Sequence, residues 1–167
     1  MQPVQTRCLI LACGNTLRGD DGAGPWLAAW AENRFRAEST VRVFSRQQWT
    51  PELAEEIAHA ESVLFVDCAV DAPAGQVQLI AVSPGTNFPA LPAHHLSPAE
   101  LLALCRSLYD SLPRSALLLT IGTGSLELGE KFSDAVQAAL PDACKLVEET
   151  IGSLLAGAAP ADPPHCA

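Results

Sequence analysis

Positive charge is what this 167-residue chain has least of. It carries 10 Lys and Arg against 19 Asp and Glu, a formal net charge of −9. Holding a phosphate backbone takes a cationic surface, so nucleic acid is excluded as an expected partner. An anionic membrane surface is excluded on the same ground. No apolar run reaches the roughly 18 residues of a membrane-spanning helix. None of the six cysteines, at 8, 13, 68, 105, 144 and 166, stands at C-x-x-C spacing. The chain also has no H-E-x-x-H, G-x-S-x-G, Walker A or G-x-G-x-x-G motif.

The N-terminal run Cys8-Leu-Ile-Leu-Ala-Cys13 after Arg7 has the outline of a lipoprotein signal. Its apolar stretch falls short of the usual core of about 7–15 residues and leads into a Gly14-Asn15 turn. A first buried strand is the better reading, with a cytoplasmic location. An apolar chain of this length does not depend on disulfides, so the thiols read as small packed hydrophobes.

Hydrophobic residues are plentiful, at 49%, which provides for one sizeable core. One domain is expected over residues 1–157. Residues 158–167, with Pro160, Pro163 and Pro164, read as a loose tail. Five strands are predicted: Arg7–Ala12, Val41–Ser45, Ser62–Cys68, Gln76–Ser83 and Ala116–Gly122. Three of them are nearly continuous apolar runs, as strands covered on both faces are. Helices are predicted at Ala23–Arg36, Pro51–Ala60, Pro98–Leu112 and Ser133–Ala156, the last interrupted at Pro141. Thr50 is the expected N-cap of the second. Ser97-Pro98-Ala99-Glu100 forms a capping box for the third. The alternation implies an α/β fold of the hydrolase type: a three-layer α/β/α sandwich around a five-stranded, mostly parallel twisted sheet. Adjacent third and fourth strands point to one antiparallel member.

Ligands of open α/β sheets bind at the carboxyl ends of the strands. Asp20 and Asp21 follow the first strand, Asp67 ends the third, and His94-His95 precede the capping box. Each has an ordinary reading: helix-dipole stabilisation for Asp20 and Asp21, a loop cap for Asp67, a solvated imidazole for His94. Together, Asp, Asp and His form a mixed oxygen and nitrogen set suited to Zn²⁺ or Ni²⁺. Cys13 and Cys68 read as packing groups rather than nucleophiles. Trp26 and Trp30, at i, i+4 spacing, read as core or interface rather than a stacking platform. His165 and Cys166 fall in the tail.

Gly14-Asn-Thr-Leu-Arg-Gly-Asp-Asp-Gly-Ala-Gly24 resembles the G-N-x-L-x-x-D-[D/E]-x-x-G signature of the hydrogenase maturation proteases. The resemblance runs on through V-D-C-A-V, H-H-L-S-P-A-E-L-L and I-G-T-G-S-L-E-L-G-E-K-F-S-D-A-V, over about residues 7–155. It implies an endopeptidase that removes a C-terminal extension from the large-subunit precursor of a nickel–iron hydrogenase after nickel insertion. Motif for motif, it implies Asp21, Asp67 and His94 as metal-contacting residues. The H-x-L-S spacing selects His94 over His95. The nickel would arrive with the substrate, and Zn or Cd could occupy the same site. The segment Ser45–Leu53 departs from the family's D-G-G-T loop. It resembles the H-Q-L-T-P-E-L variant of relatives that serve bidirectional or soluble hydrogenases, with Gln47 in place of His.

Two other classes are compatible with acidic residues at strand ends. One is a Mg²⁺-binding phospho-receiver domain; the other is a non-hydrolytic assembly chaperone on the same fold. A receiver needs a lysine where Gly122-Thr123-Gly124 stands. It also needs a helix between the third and fourth strands, for which Ala69–Gly75 is too short.

Overall fold

The computed structural model describes residues 5–86 and 96–157. His94, His95 and the tail predicted at 158–167 lie outside the described residues. The strands are β1 (Thr6–Cys13), β2 (Val41–Arg46), β3 (Ala60–Ala69), β4 (Val77–Ala81) and β5 (Ser115–Gly122). The helices are α1 (Ala23–Arg34), α2 (Leu53–Ala58), α3 (Pro98–Tyr109) and α4 (Asp134–Leu155), with a short 3-10 turn at Gly19–Gly22 before α1. No described helix is long and apolar enough to cross a membrane.

The sheet runs β2-β1-β3-β5-β4. The pairings β2–β1, β1–β3 and β3–β5 are parallel. The antiparallel member is β4, which lies at the far edge against β5 rather than beside β3. The chain thus turns back over β5 after β3, leaving β1, β3 and β5 as the enclosed strands.

Side-chain alternation divides the core into two layers. Cys8, Ile10 and Ala12 of β1, Leu64 and Val66 of β3, and Leu117, Leu119 and Ile121 of β5 face one side. Leu27, Ala28 and Ala31 of α1 and the Val136–Leu154 stripe of α4 cover them. Leu9, Leu11, Val63 and Phe65 face the other side, under Leu53 and Ile57 of α2 and Leu101, Leu102 and Leu104 of α3. This is the expected three-layer arrangement. Continuous apolar runs were needed because every second residue serves the opposite layer.

Local differences have identifiable causes. Helix α4 continues through Pro141 instead of breaking there. A proline inside a helix removes one hydrogen bond to the carbonyl four residues back and costs about 3 kcal/mol. Here both Pro141 and Gln137 lie on the exposed face of α4. The buried stripe of α4 holds the helix on the sheet regardless. Helix α2 begins at Leu53, and Thr50 does not cap it. The Thr50 hydroxyl instead bonds the Glu52 carboxylate and lowers its pKa. The Ser97–Glu100 capping box forms as the sequence requires. Helix α3 ends early, at Asp110, which adopts a left-handed conformation and donates its N–H to the Arg106 carbonyl at 3.1 Å.

Candidate functional site

The carboxyl ends of β1 and β3 are adjacent, since Ala12 pairs with Val66. Cys13, the next residue, ends β1, whereas Asp67 is still paired with Thr120 of β5, two residues before β3 ends at Ala69. From Cys13 the chain turns sharply so that the 3-10 turn folds back over the strand end. That approach is too close for side chains at two positions. A Cβ on Gly14 would sit 2.0 Å from the Asp21 carbonyl oxygen, and one on Gly24 would sit 2.2 Å from that of Cys13. Glycine at both positions brings Asp21 to the end of β1.

Asp21 is half-buried, and its Oδ2 accepts the Asn15 N–H at 2.8 Å. Asp67 is half-buried as well, and its Oδ1 accepts the Cys68 N–H at 2.8 Å. The two carboxylates share one neighbourhood, which shows in the thiols around them. Burial first, then the charges of Asp67 and Asp21, push Cys13 up to about 12. The same three causes, in the same order, push Cys68 up to about 12. Thiols held there stay protonated at neutral pH and are poor nucleophiles. Each donates instead: Cys13 Sγ to the Gln47 carbonyl at 3.3 Å, Cys68 Sγ to that of Asp20 at 2.9 Å. The packing reading of both cysteines fits this geometry.

Asp20 and Asp21 have separate jobs, which the sequence does not distinguish. Asp20 is fully buried, at 0% exposure. Its Oδ1 accepts the Ser133 N–H at 2.6 Å. Its Oδ2 accepts the N–H groups of Gly124 and Ser125 and the Ser133 hydroxyl, at 2.7, 2.8 and 2.8 Å. Burial opposes the Asp20 charge. The donors, led by the Ser133 amide, outweigh it and hold the carboxyl below the usual carboxylate range. Ser133 also caps α4, accepting from the Val136 N–H at 3.3 Å. The one sequence signal for these partners was their place within the I-G-T-G-S…F-S-D resemblance.

Asp21 and Asp67 thus place two carboxylates around the same two thiols. Among the described residues, no group of three or more His, Cys, Asp or Glu stands in an arrangement that could hold a metal ion. The third expected donor, His94, lies outside the described residues, but the chain beyond it is anchored. Leu96 is buried and donates its N–H to the Trp49 carbonyl at 3.2 Å. Trp49 in turn packs edge-on against Phe65, with ring centroids 5.6 Å apart. Trp30 packs against the core, whereas Trp26 is exposed at the start of α1. The receiver reading fails: β3 runs into β4 without a helix, and Gly122-Thr123-Gly124 follows β5 where a lysine is required.

No protein-family model and no curated relative matches the chain. Solved structures do match it. The hydrogenase maturating endopeptidase HybD of E. coli superposes with a TM-score of 0.69 at 20% identity, covering 88% of this chain and 93% of its own. The [NiFe] hydrogenase maturation protease HycI of Thermococcus kodakarensis KOD1 gives a TM-score of 0.66 at 22% identity, covering 88% and 93%. A hydrogenase 2 maturation peptidase from the Thaumarchaeota archaeon SCGC_AB-539-E09 gives 0.64 at 24% identity, covering 87% and 98%. The chain has the fold of these peptidases over nearly its whole described length.

Proposed function

We propose that this chain is an endopeptidase that removes the C-terminal extension of a nickel–iron hydrogenase large-subunit precursor after nickel insertion. The observation that carries the reading is that Asp21, just after β1, and Asp67, near the carboxyl end of β3, both lie close enough to Cys13 and Cys68 for their charges to act on both thiols. This arrangement occurs in a fold shared with peptidases named for hydrogenase maturation. The sequence resemblance adds His94 as the third contact.

In this reading the nickel belongs to the substrate. Asp21 and Asp67 offer hard oxygen donors and His94 an imidazole, a set matched to a borderline divalent ion. A three-donor set of this kind leaves coordination positions open for groups that the precursor brings. Held by Asp21, Asp67 and His94, the substrate's ion would supply Lewis-acid polarisation of a carbonyl or water near the scissile bond. The same donors would accept Zn²⁺ or Cd²⁺ as stand-ins. Cys13 and Cys68, kept protonated, take no part as nucleophiles.

The test is incubation with nickel-loaded and nickel-free precursor, read by mass spectrometry. Release of a C-terminal peptide from the loaded form alone is expected. A folded His94→Ala variant should release none. Normal processing by that variant, or no release from any loaded precursor by the wild type, would overturn the reading.

A further inference from the structure

We infer that Asp20 is a positioning residue that fixes the Asp21 carboxylate relative to Asp67 by clamping the 3-10 turn to the β5–α4 loop. The turn is only four residues long, Gly19–Gly22, and has no side-chain cap of its own. It is held by outside groups on three sides. The Asp20 side chain takes four donors from Gly124, Ser125 and Ser133. The Asp20 amide donates back to the Ser125 carbonyl at 3.0 Å, and the Gly19 amide to that of Gly129 at 2.7 Å. The Asp20 carbonyl accepts from Cys68, the neighbour of Asp67. One residue therefore links the carrier of Asp21 to β3, to the loop after β5 and to the start of α4.

Charge and shape both contribute. An asparagine has the volume of Asp20, but its amide group must face a donor whichever way it turns. Turned toward Ser133 N–H it meets one donor; turned the other way it meets three. Asp20→Asn therefore keeps the packing, loses the charge and opens one corner of the clamp. The peptide link carries any resulting shift of the turn directly to Asp21. A displacement on the scale of 1 Å at a reacting centre costs roughly a hundredfold in rate.

The Asn15 amide reports on this displacement, because its partner is Asp21 Oδ2 at 2.8 Å. Hydrogen exchange in Asp20→Asn should accelerate at Asn15 by about tenfold more than at helix α3, where Leu101 N–H bonds the Ser97 carbonyl at 3.0 Å. Ser133→Ala, which keeps the carboxylate and the three backbone donors, should show the same local pattern more weakly. It serves as the decisive variant if Asp20→Asn does not fold. The second arm rests on the peptidase reading. Per folded molecule, kcat for precursor cleavage should fall roughly a hundredfold with KM unchanged within about threefold. Equal acceleration at Asn15 and α3, or full kcat per folded molecule, would overturn the inference. If the wild type cleaves no precursor, the peptidase reading falls and the exchange result alone decides the role of Asp20.

Discussion

Two helical glycines give opposite predictions for the same substitution. In an exposed helix interior, Gly→Ala gains about 0.5–1 kcal/mol, chiefly by restricting the unfolded chain. Gly152 in α4 is exposed, and a Cβ there meets nothing within 4 Å. Gly152→Ala should raise Tm by about 1–4 °C, since 1 kcal/mol shifts Tm by about 2–4 °C in a domain of this size. Gly24 in α1 meets the opposite case. Its added Cβ would lie 2.2 Å from the Cys13 carbonyl oxygen and 3.5 Å from that of Val66, both backbone atoms. No side chain can swing aside, so α1 must retreat from β1 by roughly the missing ångström. Retreat loosens Leu27, Ala28 and Ala31 from the sheet layer they cover. Overpacking of this kind costs about 1–3 kcal/mol, occasionally more, against a propensity gain of at most about 1 kcal/mol. With no side chain to yield, the cost lies toward the upper end, and a net loss of about 2 kcal/mol lowers Tm by about 4–8 °C. Thermal melts of both variants against wild type, followed by circular dichroism, provide the assay. A Gly24→Ala variant that melts at or above wild type would refute the close-packing argument.

Acid and alkali should act through different groups. The Asp20 carboxyl is depressed in the folded state, so its stabilisation is present above the ordinary carboxylate pKa and is lost as pH falls through the folded value. Urea unfolding between about pH 5 and pH 2 should therefore show a shallower pH dependence in Asp20→Asn than in wild type. Cys8, Cys13 and Cys68 are raised from 9.0 to about 12, chiefly by burial. Their contribution is present below pH 9 and fades as pH rises toward 12, so stability should decline across that window. At pH 8 iodoacetamide should label these three thiols far more slowly in the native protein than in urea, counted by mass spectrometry. Ser97→Ala removes the hydroxyl that accepts the Glu100 N–H, while the backbone N–H at 97 keeps its bond to the Glu100 carboxylate. It should cost about 1 kcal/mol, read as a Tm lowered by about 2–4 °C.

The layers were legible because burial on both faces writes itself as unbroken apolar runs. Residues 62–68 and 116–122 could hardly be anything but enclosed strands. Asp21 and Asp67 stood out because both lie near the carboxyl ends of strands, where sheets of this kind bind ligands. Strand order was less accessible. The short β3–β4 connection points to neighbours, but β4 finds its hydrogen bonds on β5. Pro141 misled because propensity is a local signal, while α4 is held by a stripe facing the sheet. Asp20 was read with Asp21 as a helix-terminus acid. Its partners lie 104 to 113 residues away in sequence. Distances of that length leave no periodicity or spacing to read.

That separation has a consequence for synthesis. The chain is made from its N-terminus, so Asp21 and Asp67 exist long before Ser133 emerges. Until then Asp20 has at most the Gly124 and Ser125 amides, two of its four donors, and burying its carboxylate half-satisfied is costly. The crevice therefore matures last, when the first turn of α4 docks and Ser133 closes on Asp20. A nascent or C-terminally truncated chain can carry both site carboxylates and still hold them in no fixed relation. The arrangement near the strand ends is thereby tied to the arrival of the β5–α4 segment.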